Sequence, residues 1–288
     1  MIAVTVGGRT FSDPPAGGTH VLEAIGGWFD GVSVRGSDTA RPQGHGSFGE
    51  RAWRGSRLVT LTVSLLTGSH AEAADAQRWC AAMLGDGGYG ELAVTDPSGE
   101  TTTAEVRLGG MPLVRWFPQS AAIRAQFQLL APDPLRYGPW QTATTTFPAR
   151  MGGLRFPLYS DGAGVNVGAL DYGEPSTTGR VLLSNPGTAD SWAQFNVAGP
   201  VPAEGFEIVV VGTGRRIRFE GAVPLHSDLV IDTATGTAVI DGSADRGGLL
   251  TYRDWPPIPA GGSVEFAFIP LGPTSSAVLT ASFRPPFW

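Results

Sequence analysis

The sequence predicts a mainly β protein with two domains and one substantial α-helix. The 288 residues include 41 Gly and 23 Pro, and hydrophobic residues alternate with polar ones along many short segments. Gly and Pro at this density interrupt helices and supply the turns between strands. A chain of this length can bury two cores, and we expect domains at residues 1–138 and 139–288.

Strict alternation over residues 57–66 predicts the most regular strand of the first domain. Val59, Leu61 and Val63 fall on one face there, whereas Thr60 and Thr62 fall on the other. This period of two residues is typical of a half-buried strand. The same pattern predicts strands at residues 2–6, 104–108 and 123–129.

Residues 71–84 form the one segment with a convincing helical pattern. The segment is rich in Ala, contains neither Gly nor Pro, and stops before Gly85, a residue type that commonly ends helices. Ala76, Trp79 and Met83 are expected to form its apolar face. Cys80, the single cysteine, is expected to be a small buried hydrophobe and not a catalytic thiol.

Residues 131–139 (APDPLRYGP) mark the expected domain boundary, because a residue that precedes proline is held extended or in a turn. Beyond it, many short segments of strand character are separated by turns that contain Gly, which is typical of a β-sandwich or jelly roll. The predicted strands are residues 154–159, 180–184, 192–198, 206–211, 217–219, 229–232, 237–241, 249–252, 264–269 and 277–283.

The charge composition excludes several classes of function. All 20 basic residues are Arg, and 26 acidic residues give a net charge of −6. A specific nucleic-acid binder needs a basic face, so we do not expect one. The absence of Lys excludes Schiff-base and P-loop chemistry, and no apolar run approaches the length of a membrane span.

The sequence shows no catalytic, cofactor-binding or metal-binding motif. The four His residues are scattered without the spacing of metal ligands, and HGSFG at residues 45–49 lacks the first Gly of a nucleophile elbow. We therefore expect no enzymatic activity, no cofactor and no metal. Carboxylate pairs such as Glu204 with Glu207 or Asp228 with Asp232 leave glycoside hydrolysis as an alternative, although nothing in the sequence selects one pair.

Two sets of residues are candidates for binding. The first lies in residues 34–58, a stretch with little alternation that also contains Arg57. Arg and Trp are enriched at interface hot spots, so we expect an interface at Arg35, Arg41, Phe48, Arg51, Trp53 and Arg54, with an ordinary solvated hairpin as the alternative. The second set is Trp192 and Trp255, which either stack on sugar rings or belong to the core.

The order of several motifs resembles that of siphophage distal tail proteins, especially minor tail proteins of phages that infect actinobacteria. In the first half the resemblance rests on GWFDG at 27–31, RPQGHG at 41–46, and RLVTL at 57–61 followed by the single helix. APDPLRY resembles the exit from the family's first domain. The second half contributes NPGT at 185–188, SW at 191–192, GP at 199–200, LVIDT at 229–233 and IPAGGS at 258–263.

The resemblance implies a fold and a function that the composition does not reveal. It implies a tail-tube-like β-sandwich with one helix, followed by a galectin-like or carbohydrate-binding-module-like β-sandwich. Such proteins form a hexameric ring at the distal end of the tail, which joins the tail tube to the baseplate or tip. The first domains form the ring around the DNA channel, and the second domains face outward and anchor receptor-binding or fibre proteins.

The implied partners are further copies of the chain, the major tail tube protein, the tail-tip hub or tail-associated protein, the tape measure protein and receptor-binding proteins. Within such a ring, residues 35–57 would lie near a neighbouring subunit or ring. A carbohydrate-binding module that recognises host surface glycans is the alternative function.

Overall fold

The structure, a computed structural model, describes residues 1–15, 18–148 and 178–288. It contains two compact units, one formed by Met1–Pro139 with Pro286–Trp288 and the other by Trp140–Pro285. We call these unit 1 and unit 2. The predicted mainly β fold is confirmed, and the described residues contain a single α-helix. The strand predicted at residues 154–159 lies outside the described residues.

Unit 1 contains fifteen secondary-structure elements. They are β1 (Ile2–Val6), β2 (Arg9–Asp13), β3 (His20–Gly26), β4 (Val34–Arg35), β5 (Thr39–Ala40), β6 (Ser47–Phe48), β7 (Trp53–Arg54), β8 (Arg57–Leu66), α1 (His70–Ala82), β9 (Gly90–Thr95), β10 (Thr101–Leu108), β11 (Leu113–Phe117), β12 (Ala122–Ala131), β13 (Arg136–Tyr137) and, from the end of the chain, β27 (Pro286–Phe287).

Ten of these strands form one sheet in the order β11-β12-β8-β3-β2-β1-β9-β10-β13-β27. β10 also pairs with β12, which closes the sheet on itself. The longest ladder joins β8 to β12, and it runs from Arg57 opposite Ala131 to Leu66 opposite Ala122. The alternation predicted for residues 57–66 is confirmed, because Val59, Leu61 and Val63 are completely buried.

The helix α1 covers the core of unit 1 and begins and ends for identifiable reasons. The Ser69 hydroxyl accepts a hydrogen bond from the Glu72 N–H, and the Glu72 carboxylate accepts one from the Gly68 N–H, as in a capping box. The helix ends at Ala82, two residues before the predicted end, because Leu84 adopts a left-handed conformation with φ of 50°. Cys80 is completely buried, as predicted.

Unit 2 contains the remaining elements. They are β14 (Gln141–Thr146), β15 (Arg180–Ser184), β16 (Ser191–Trp192), β17 (Gln194–Ala198), β18 (Phe206–Val210), β19 (Arg216–Phe219), β20 (Asp228–Asp232), β21 (Thr237–Ile240), β22 (Ala244–Asp245), a 3-10 helix (Gly247–Leu249), β23 (Leu250–Arg253), β24 (Pro257–Ile258), β25 (Ser263–Pro270) and β26 (Val278–Phe283).

Two antiparallel sheets form the sandwich of unit 2. One has the order β14-β26-β17-β20-β21-β22 and the other β15-β25-β18-β19-β23. Phe side chains join the two sheets: the rings of Phe195 and Phe266 lie 5.1 Å apart in an edge-to-face arrangement. Such aromatic pairs stabilise the fold by more than the burial of their apolar area alone.

One predicted strand of unit 2 is divided in the structure. Residues 192–198 form the end of β16 and all of β17, with Ala193 between them. The Ala193 carbonyl accepts hydrogen bonds from the N–H and the hydroxyl of Thr233. Because these bonds hold the backbone at Ala193, the chain changes partners there: β16 pairs with β24, whereas β17 pairs with β20 and β26.

Replacing Phe127 by Ala should lower the free energy of unfolding by about 3–5 kcal/mol, the usual cost of emptying a buried aromatic position. Phe127 is completely buried, and its ring meets that of Trp79 edge to face at 6.2 Å. The matched control is Gln128→Ala, at the exposed neighbouring position of β12. Urea denaturation of the full chain measures both, and equal losses of stability would contradict the assigned core.

Candidate functional site

The described residues offer surfaces for binding in place of a recognisable reaction centre. No group of three or more His, Cys, Asp or Glu in this part of the chain could hold a metal ion. No helix among the described residues is long and apolar enough to cross a membrane. Burial raises the pKa of the Cys80 thiol to about 11, so this thiol is protonated and unreactive at neutral pH.

The six predicted interface residues lie together on a projecting β-ribbon, residues 34–54, which we call the arm. Its base is the pairing of β4 with β7, in which Val34 lies opposite Arg54 and Arg35 opposite Trp53. Further out, β5 pairs with β6. The Arg41 N–H then donates to the Gly46 carbonyl across the turn, at 3.2 Å.

The arm contains no buried residue, because every position from 34 to 54 is exposed. Phe48 and Trp53 are each 59% exposed, and Val34 is 66% exposed. An isolated two-stranded ribbon is at best marginally stable in water. Clustered exposed aromatic side chains of this kind mark interaction surfaces, so the arm has the properties of a segment that another molecule covers.

Arginine side chains stack on the aromatic rings of the arm. The guanidinium of Arg51 lies 4.6 Å from the ring centre of Trp53, and that of Arg41 lies 5.3 Å from the ring of Phe48. Arg54, at the base, lies 4.5 Å from the ring of Trp288. Each contact contributes about 0.5–1 kcal/mol at an exposed site. The stacking therefore holds large side chains in place before a partner binds.

The root of the arm is fixed by Arg57, which the sequence groups with the exposed arginines but which is buried. Its Nη1 donates to the carbonyls of Gly27, Trp28 and Asp30 at 2.8–2.9 Å, and its Nε donates to the carbonyl of Pro134 at 2.9 Å. Burial, together with the charge of nearby Arg136, lowers the pKa of Arg57 to about 10. Arg57 is therefore a structural cation and not part of the exposed arm.

Two glycines allow the backbone to approach closely at this root. Gly27 has a φ of +80°, and a Cβ atom there would lie 2.0 Å from the Leu58 carbonyl oxygen. The Gly55 N–H donates to the Ser33 carbonyl at 2.7 Å, which closes the base of the arm. Larger side chains are excluded at Gly27 by both space and conformation.

The two predicted sugar-stacking residues differ in exposure. Trp192 is 44% exposed and lies opposite Pro257 in the pairing of β16 with β24. Trp255 is partly buried against the core of unit 2, with its ring about 3.5 Å from where a Cβ on Gly236 would lie. Of the pair, Trp192 is therefore the more exposed side chain.

Solved structures of phage tail proteins share this architecture along the whole chain. The Dit (gp 19.1) protein of phage SPP1, a paradigm of the hub adsorption apparatus in phages that infect Gram-positive bacteria, aligns with a TM-score of 0.66 and 12% identity over 100% of both chains. The chain has the Dit fold. The resemblance to distal tail proteins seen in the sequence is thereby confirmed for the fold.

The Dit fold also extends to chains of the phage P2 baseplate in its activated conformation. The form with Ca matches with a TM-score of 0.51 and 10% identity over 98% of both chains, and the form with Sr matches with the same score and identity over 98% of this chain and 97% of the other. No family model and no curated protein matches the sequence.

Sequence reasoning missed a second surface around β11. In LVRWF, apolar residues occur on both faces of the strand, so no alternation reveals its position. The apolar run from Met111 to Val114, directly before Arg115, was the available signal.

Replacing Arg57 by Met should lower the free energy of unfolding by about 3 kcal/mol or more, because four backbone carbonyls lose the hydrogen bonds that the guanidinium donates. The matched control is Arg54→Met, which removes one exposed stacking contact and should cost about 1 kcal/mol or less. Urea denaturation distinguishes the two, and a loss for R57M no larger than that for R54M would contradict the structural role.

The Cys80 thiol should fail to react with Ellman's reagent in the native protein at mildly alkaline pH, because burial blocks access and its pKa is raised to about 11. After unfolding in guanidinium chloride it should react fully, since an exposed thiol has a pKa of about 8.5. Fast labelling of the folded protein would contradict the position assigned to Cys80.

Proposed function

We propose that this chain is a structural protein at the distal end of a phage tail, within the hub through which the tail adsorbs to its host. The observation that carries the proposal is the alignment with SPP1 Dit along the full length of both chains. A match of this extent includes both units, whereas a shared β-sandwich alone would align with only one of them.

Within this proposal, unit 1 forms a hexameric ring that joins the tail tube to the baseplate, and unit 2 anchors receptor-binding or fibre proteins. The proposed partners are further copies of the chain, the major tail tube protein, the tail-tip hub protein and the tape measure protein. Unit 1, which comprises residues 1–139 and 286–288, contains 11 Arg and 13 acidic residues. A surface with this balance suits a channel that passes DNA without binding it tightly.

We further propose that the arm contacts a neighbouring copy in the ring. A head-to-tail ring needs two different patches that meet across each interface, and a projecting ribbon of exposed Arg and aromatic residues can supply one of them. The candidate contact residues are Arg35, Arg41, Phe48, Arg51, Trp53 and Arg54. The aromatic side chains of the arm are exposed because the arm has no core of its own. Contact with a second copy would remove their apolar surface from water, which is favourable.

The double variant Arg51→Glu/Arg54→Glu should weaken self-association at least tenfold, because it removes two stacking contacts and reverses two charges on the arm. The matched control is Arg78→Glu on α1, an exposed position outside the arm, which should leave assembly unchanged. Native mass spectrometry and light scattering measure the stoichiometry, alone and with purified tail tube protein.

Two outcomes would count against this function. Assembly of the double variant at the wild-type level would remove the arm from the interface. A wild-type chain that stays monomeric both alone and with the tail tube protein would contradict the ring itself. Circular dichroism of each variant confirms that the fold is intact.

Recognition of host glycans by unit 2 is a second candidate, and the exposed ring of Trp192 favours it. Replacing Trp192 by Ala should abolish binding to host cell-wall fragments, measured by calorimetry, because aromatic rings stack on sugars. Trp140→Ala is the control, since Trp140 is also an exposed Trp of unit 2. Equal binding by the wild type and the Trp192 variant would reject this site.

A further inference from the structure

A second exposed surface of unit 1 surrounds strand β11 (Leu113–Phe117). This strand ends the ten-stranded sheet, and among the described residues it pairs only with β12. Its other edge therefore presents backbone N–H and C=O groups to an additional strand. Pro112 and Pro118 flank β11 and cannot donate backbone hydrogen bonds, so an added strand would pair along about five residues.

The edge is apolar as well as unpaired. Met111 is 79% exposed and Leu113 is 56% exposed, and Trp116 and Phe117 are each more than one-third exposed. Soluble proteins usually protect an edge strand with charges or cover it with another segment. An apolar edge of this kind is typical of a surface that receives an extended chain.

A cleft of about 830 Å³ adjoins this strand. Gln77 and Ala81 of α1, residues 111–115, and Arg124 and Gln126 of β12 line it, together with Thr62. The lining contains two arginines and no acidic residue. The cleft therefore combines apolar walls with positive charge.

The positive charge of the cleft is only partly neutralised. Arg115 lies directly opposite Arg124 in the pairing of β11 with β12, and like charges in this position repel. Arg124 forms a 2.5 Å ion pair with Glu23. Arg115 has no carboxylate within 4 Å among the described residues, and its guanidinium lies 5.5 Å from the ring centre of Phe117.

We propose that β11 and this cleft bind an extended acidic segment of another protein, in which carboxylate and bulky apolar residues alternate. Such a segment adds a strand to β11, so that its backbone completes the open edge. Its carboxylates face Arg115 on one side of the sheet, and its apolar side chains contact Val114 and Trp116 on the other. This site is additional to the proposed ring contact, and its binding does not require a ring.

Charge argues against the arm of a second copy as the occupant. The arm carries Arg35, Arg41, Arg51 and Arg54 but only two acidic residues, Asp38 and Glu50. A positive ribbon beside Arg115 and Arg124 would increase the repulsion that is already present. An acidic partner segment relieves it.

The test uses the full chain and a fluorescein-labelled peptide of sequence DVEIDVEI, with KVKIKVKI as the charge-reversed control. Fluorescence anisotropy should show saturable binding of the acidic peptide that weakens with added salt and no binding of the basic one. Arg115→Glu should weaken binding at least tenfold, and Trp116→Ser should weaken it several-fold. Arg78→Glu, which replaces an exposed Arg outside the cleft, should have no effect.

Hydrogen exchange locates the bound peptide. Backbone amides that point to the open edge of β11, which belong to alternate residues among 113–117, should become protected when the acidic peptide binds, because an added strand accepts their hydrogen bonds. Wild-type affinity of the Arg115 variant, equal affinity for both peptides, or protection confined to other segments would overturn the proposal. So would an oligomer of the free chain that dissociates on Arg115→Glu, since a second copy would then occupy the edge.

The result of the peptide-binding experiment does not depend on whether the chain forms a ring. Native mass spectrometry of the arm variants tests self-assembly, whereas anisotropy with the peptide tests only β11 and its cleft. A chain that forms no ring can still bind the peptide, and a ring can form from a chain that does not. Failure of one proposal is therefore distinguishable from failure of the other.

Discussion

The position of the arm depends on one buried cation. Arg57 hydrogen-bonds through a single guanidinium to the segment that leads into the arm, residues 27–30, and to Pro134, where the chain leaves the last long strand. Burying a guanidinium without a paired carboxylate is costly, and its lowered pKa reflects that cost. Four carbonyl acceptors at ordinary hydrogen-bond distances offset it.

Because Arg57 fixes the root, the side chains of the arm do not have to pack in the core of unit 1. No side chain from residue 34 to 54 is needed in the core, so Arg and aromatic residues can occupy these positions without disturbing the fold. Stacking of Arg51 on Trp53 and of Arg41 on Phe48 then reduces the side-chain freedom that a partner would have to restrict. A rigid root with an uncovered ribbon is an arrangement suited to assembly.

Periodicity predicted those parts of the fold in which burial repeats regularly along the chain. Strand β8 could be predicted because each second residue is buried. α1 was predicted to within two residues of its observed ends because the segment is rich in Ala and contains neither Gly nor Pro. The strands of the arm have only two residues each and no buried face, so no alternation exists there to detect. The predicted interface residues came instead from composition, and the structure brings all six together on one ribbon.

Features that depend on contacts between residues far apart in the sequence could not be predicted from local periodicity. The burial of Arg57 depends on carbonyls at residues 27–30 and 134, which no local pattern connects to it. The edge position of β11 depends on the order of strands in the sheet, so its exposed apolar residues resemble an ordinary buried strand in the sequence. Trp192 and Trp255 were equivalent in the sequence, and only the packing of the sandwich separates the exposed ring from the partly buried one.

The last residues of the chain return to unit 1, where Arg136 pairs with Phe287 and Tyr137 with Pro286. Unit 2 is therefore an insertion between two adjacent strands, and the points at which the chain leaves and re-enters unit 1 are about 5 Å apart, the spacing of neighbouring strands. Any domain whose own termini lie that close together could be spliced in at this place without altering the register of the first sheet. The architecture thus permits the inserted module to be exchanged by recombination while the scaffold that carries it stays constant.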